Sequence, residues 1–137
     1  FMTSCSIDSF QGRQDHGGAN SRGQQQLLIG PWLHGRLNKG NRVGEMVYPE
    51  NANWPVQEHM VRWFNHYLKG EENGVENGPT VRYYVMGAVG ETGAPGNVWR
   101  TAKTFTPATT STPYFLLAGG NLSKSIPEAG DSSTSYS

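Results

Sequence analysis

The chain has 137 residues, with 11 basic and 11 acidic side chains and a formal net charge of zero. That length allows one domain with a real core, or pieces of two. Its scattered, balanced charge offers nothing to nucleic acid or an anionic membrane, and its apolar runs of a few residues fall far short of the roughly 20 that span a bilayer. A single cysteine, Cys5, excludes an intrachain disulfide and leaves the compartment open, so no localisation follows. The sequence starts at Phe1 and closes on a Ser/Thr-rich run, which reads as a piece of a longer protein; the lack of a signal peptide therefore says nothing about export.

In chain order, Met2, Cys5, Ile7 and Phe10 recur at three- and four-residue spacings, predicting a short amphipathic helix over residues 1–14. Gly17-Gly18 ends it and opens a polar loop through Gly23. Leu27-Leu28-Ile29, cut off by Gly30-Pro31, reads as a buried strand of a mostly parallel sheet over residues 25–29. Proline has no N–H for the ladder and pushes its predecessor out of helix space. Residues 36–53 are Gly/Asn-rich and predict a long ordered loop. Pro55 opens the clearest helix. Val56, Met60, Phe64 and Tyr67, with Val61 and Leu68 beside them, form a wide apolar stripe expected to face a core, and Gly70 is its natural C-cap.

After an acidic Gly/Asn linker at residues 71–79, Val81, Tyr83 and Val85 alternate with Arg82, Tyr84 and Met86 in a period-two strand. Residues 97–100, 103–105 and 112–117 read as further short strands between turns, a spacing that suggests a β-sandwich. Residues 123–137 carry few hydrophobic side chains and are expected to form a loop or tail. The fold class is therefore α/β, passing into a β-sandwich.

The strand over residues 25–29 delivers Gly30-Pro31-Trp32-Leu33-His34 to a loop at its carboxyl end, where open α/β sheets place their chemistry. This segment resembles the Gly-Pro-Trp-x-His segment of the CocE/NonD serine hydrolases, of the cocaine esterase and X-Pro dipeptidyl-peptidase type. The resemblance continues through Arg62-Trp63-Phe64-Asn65-His66-Tyr67-Leu68-Lys69-Gly70, then residues 79–87 and Val98-Trp99-Arg100, covering roughly residues 25–120. It implies residues 1–72 as the C-terminal part of an α/β-hydrolase domain and residues 73–137 as the start of a jelly-roll β-sandwich. It also implies His34 as general base of a Ser-Asp-His triad that cleaves ester or amide bonds, including Xaa-Pro dipeptidyl bonds.

A triad histidine needs a loop that lets its ring reach a serine on one side and an acid on the other. The nucleophile is absent, because no serine here lies in a Gly-x-Ser-x-Gly elbow. Ser21, in Asn20-Ser21-Arg22-Gly23, is the nearest imitation and has no strand before it. His16-Gly17-Gly18 imitates an oxyanion-hole motif in the wrong order. The acid is Asp8 or lies ahead of Phe1, with Asp15 a weaker candidate.

Trp32 is open to two readings, a wall of the acyl pocket or a ring packed beneath the loop. His59 and His66 lack Cys, Asp or Glu partners at metal-ligand spacing and read as packing or surface residues; no metal and no cofactor is expected. The expected partner is a small ester, amide or peptide substrate, and the oligomeric state stays open. The alternative is a non-catalytic carbohydrate- or protein-binding β-sandwich, which requires Tyr83, Tyr84 and Trp99 to be exposed together.

Overall fold

The computed structural model describes residues 2–37, 39–105 and 110–127. The chain forms two compact units, residues 1–105 and residues 106–137. The first opens with helix α1 (Met2–His16), which ends where the Gly17 N–H bonds the Arg13 carbonyl. Strand β1 (Leu27–Ile29) follows the polar loop. The Gly/Asn-rich stretch contains a small antiparallel hairpin of β2 (Arg42–Val43) and β3 (Met46–Val47), then a 3₁₀ turn at Glu50–Ala52. Helix α2 (Val56–Lys69) closes on Gly70 in the left-handed region, whose N–H reaches the Asn65 and His66 carbonyls. A second 3₁₀ turn at Val75–Asn77 leads into strands β4 (Val81–Val85) and β5 (Val98–Ala102).

These strands form one sheet in the order β1-β4-β5. β1 runs parallel to β4, with Leu27 opposite Val81 and Ile29 opposite Tyr83, and β4 pairs antiparallel with β5. A parallel pair needs a crossover, and the connection that carries α2 supplies it. The expected division between residues 72 and 73 falls within this connection, so strands from both sides of it share one sheet.

Alternation along the strands makes two cores. On one face Leu27 and the fully buried Val81 pack against Phe10 of α1, with Ile7, Ile29, Tyr83, Ala102 and Phe105 around them. On the other, Tyr84 packs with Tyr48 and Ala52, bordered by Val43, Val89 and Trp99. A one-residue slip of β4 would put Arg82 in the place of Val81 and Val85 in that of Tyr84, burying a charge that the period-two pattern keeps off that face. The strands expected over residues 97–100 and 103–105 resolve into β5 alone, and Phe105 joins the α1 face from a bend.

Helix α2 departs most from its sequence pattern. Its buried and half-buried positions are Val56, His59, Trp63, Asn65 and His66, while Val61, Phe64 and Leu68 are 58%, 52% and 77% exposed. The helix docks chiefly on the Val75–Asn77 turn and stands off the sheet across a cavity. The apolar stripe expected to face a core thus lies largely on the surface of this unit.

In the second unit, β6 (Phe115–Leu116) and β7 (Leu122–Ser123) pair antiparallel around a 3₁₀ stretch at Ala118–Gly120, and the Lys124 ammonium sits 5.6 Å from the Tyr114 ring centre. The loop or tail expected over residues 123–137 lies outside the described residues from position 128 onward. Among the described residues no helix is long and apolar enough to cross a membrane.

Candidate functional site

β1 ends at Ile29, and the next six residues build the turn that carries His34. Gly30 is required by close approach, since a Cβ there would lie 2.4 Å from the Trp32 ring, which folds back over it. The Leu33 carbonyl accepts from the Arg36 N–H at 3.0 Å, closing a β-turn with His34 and Gly35 at its centre. Gly35 has φ 72°, the positive value a type II turn demands at that position. His34 therefore stands at the crown of a tight, glycine-set turn just beyond a strand end. Its ring is exposed and, among the described residues, has no hydrogen-bond or ion-pair partner. An imidazole so placed can accept or deliver a proton to an incoming group.

What fixes the turn is aromatic packing beneath it. Trp32 lies 5.7 Å from Trp99, ring centre to ring centre, and Trp99 lies 5.3 Å from Tyr84 and 6.4 Å from Trp54. Asn51 ties this cluster down. Its carbonyl accepts from Trp99 Nε1 at 2.6 Å, its Oδ1 accepts from the Tyr84 hydroxyl at 3.1 Å, and its Nδ2 donates to the Asn97 carbonyl at 2.8 Å. Burial, with the Tyr48 phenol second, pushes the Tyr84 hydroxyl above the usual tyrosine value, so it stays a donor. Trp32 Nε1 is buried and has no partner among the described residues. Of the two readings of Trp32, packing beneath the loop is the one seen in this unit.

Asp8 and Asp15 are exposed on α1, and neither bonds to His34. The Ser21 hydroxyl donates to the Gly18 carbonyl at 3.2 Å within the polar loop, away from any strand-to-helix elbow. His66, in the last turn of α2, places Nδ1 2.8 Å from the Glu71 carbonyl and 3.6 Å from a Glu76 carboxylate oxygen. Among the described residues no three His, Cys, Asp or Glu side chains gather as a metal site. The binding-module alternative asked for Tyr83, Tyr84 and Trp99 exposed together; Tyr84 is buried and the other two are half-buried.

Sequence reasoning missed a second cluster, at His59. Its Nε2 lies 3.0 Å from Gln26 Oε1, and the Trp54 ring meets it edge-on at 4.9 Å. Gln26 Nε2 donates to the Val75 carbonyl at 2.8 Å, so Oε1 is the acceptor and the neutral imidazole carries its proton on Nε2. Burial first, then the Arg62 and Arg82 guanidiniums, hold His59 below the usual histidine value. The members come from β1's approach, α2 and β4, and no motif joins them. The only signal was the half-apolar setting of His59 between Trp54 and Trp63.

With that geometry in view, comparison with known proteins points to one kind of protein, the serine esterases. No family model matches the chain. Proteins of Mycobacterium bovis and Mycobacterium tuberculosis, each named as an inferred serine esterase, are 26% identical to it over 110 residues, 80% of this chain and 16% of theirs. The cocaine esterase of a Rhodococcus strain is 30% identical over 114 residues, 74% of this chain and 18% of that enzyme. The chain thus spans less than a fifth of the length of the curated relatives it matches.

Proposed function

We propose that this chain is the histidine-bearing part of a serine hydrolase of the CocE/NonD type, with His34 as the general base of a Ser-Asp-His triad. The observation that carries the proposal is His34, exposed and without a hydrogen-bond partner among the described residues, at the crown of a turn after strand β1, inside the Gly-Pro-Trp-x-His segment. Similarity to proteins named as esterases over most of the chain supports the same reading.

In this reading residues 1–72 end an α/β-hydrolase domain and residues 73–137 begin a β-sandwich. The serine is supplied from outside these residues, and the acid is Asp8 or a residue outside them. His34 takes the serine's proton as the oxygen attacks the acyl carbon and returns it to the leaving alcohol or amine. The acid orients the imidazole and stabilises its cation. Trp32 and Trp99 hold the turn so that little motion is needed when the nucleophile is in reach.

Purified residues 1–137 test the first half of this proposal. They should hydrolyse p-nitrophenyl butyrate no faster than buffer and resist labelling by a fluorophosphonate. Hydrolysis abolished by His34→Ala would mean that a nucleophile lies within these residues and would overturn the proposal. Assays of a polypeptide that includes the serine, against acyl esters and Xaa-Pro anilides, separate esterase from dipeptidyl-peptidase specificity.

A further inference from the structure

Between α2 and the β1–β4 side of the sheet lies a cavity of about 470 Å³, within the usual range for small-molecule sites. His34 is not among its lining residues, so it is separate from the proposed triad site. Its walls are mostly apolar: Leu28 from β1, Val56, Met60 and Trp63 from α2, and Trp54 ahead of that helix. Its polar groups are Gln26, His59, Arg62 and Arg82, and among the described residues no aspartate or glutamate lines it.

That charge pattern is lopsided. The Arg82 guanidinium lies 5.3 Å from the Trp54 ring centre, and Arg62 donates to the Asn73 carbonyl. Neither has a carboxylate partner among the described residues. Both are close enough to His59 to disfavour its protonation. Arg82 is half-buried and Arg62 exposed, so two guanidiniums with spare donors border a mostly apolar space and favour a ligand that carries an anionic group. The chain as a whole is neutral, so this is a local excess rather than a general basic surface.

We infer that this cavity binds a small carboxylate with an apolar body. The carboxylate meets the guanidiniums of Arg82 and Arg62, whose planar forks match it in geometry. The hydrocarbon lies against Trp54, Trp63, Met60 and Leu28. An organic cation, the other ligand that tryptophans favour, is repelled by both arginines. A bare inorganic anion leaves the apolar walls unused.

The probe is 3-phenylpropionate, titrated into the 137-residue chain by calorimetry and by tryptophan fluorescence, with 3-phenylpropan-1-ol, acetate and inorganic phosphate as comparisons. The expected dissociation constant is about 1 mM or below. The alcohol, acetate and phosphate should each bind about tenfold or more weakly, and Arg82→Gln and Arg62→Gln should each cost the propionate about tenfold. If Arg82→Gln does not fold, Arg62→Gln, at a solvent-exposed position lining the cavity, decides. Absence of binding at 10 mM of the probe overturns the inference, as do equal affinity for the alcohol or full affinity in the folded arginine variant. His34→Ala leaves this binding unchanged, so failure here and failure of the esterase proposal are read independently.

Discussion

The indole of Trp32 lies 5.7 Å from that of Trp99, which ties the turn carrying His34 to strand β5. The two rings differ in one respect. Trp99 Nε1 donates to the Asn51 carbonyl, whereas the buried Trp32 Nε1 has no acceptor among the described residues. Both Trp→Phe changes shrink a packed ring, but Trp99→Phe should cost about 1 kcal/mol more than Trp32→Phe, because it alone also breaks a hydrogen bond. Urea unfolding of the two variants beside the parent chain measures the difference. Equal losses would contradict this account of the cluster.

Gly35 and Gly30 are demanded for separate reasons. Gly35→Ala puts a Cβ on a residue at φ 72°, a strain of about 1 kcal/mol that loosens the His34 turn without touching the core. Gly30→Ala drives a Cβ into the Trp32 ring and must displace it. The expected readout is a near-ultraviolet circular dichroism change for Gly30→Ala and little or none for Gly35→Ala.

His59 sets a pH dependence of stability. Its folded-state value is lowered, so the unfolded chain binds its proton first as pH falls. Its contribution is fully present above the unfolded value of about 6.5 and is lost as pH drops from there through the lower folded value. Denaturation midpoints measured from pH 8 down to pH 5 should fall less steeply in His59→Gln than in the parent. An identical slope in the two would show that His59 is not held neutral by its surroundings.

The outward stripe of α2 gives a contrast with the core. Leu68→Ser and Val61→Ser should stay within about 0.5 kcal/mol of the parent, as exposed substitutions do. Val81→Ala, at a fully buried position between α1 and the sheet, should cost about 2 kcal/mol. Chemical unfolding tests both, and a large loss at Leu68 would mean that the stripe is covered.

Local pattern in the sequence reached some of this and not the rest. The Leu27–Ile29 run, its stop at Gly30-Pro31 and the alternation from Val81 to Val85 are signals of backbone and period, and the strands formed there. The stripe on α2 was equally legible, yet which surface it meets depends on what packs beside it, and here the His59–Trp63 side turned inward instead. The pairing of β1 with β4 and the meeting of Gln26, His59 and Arg82 depend on register between distant segments, which no local pattern encodes. His34 was singled out through its motif and its place on a loop after a strand; the glycine-set turn that presents it came only with the fold.

The most direct test of the central claim places these residues beside a nucleophile. In the Rhodococcus cocaine esterase, the matched segment can be replaced by the corresponding residues of this chain and ester hydrolysis followed with and without His34→Ala. The chimera should hydrolyse ester, and His34→Ala should lower its kcat by at least about 10³-fold with little change in KM. A folded, active chimera that keeps its rate after His34→Ala would contradict the assignment of His34 as the general base.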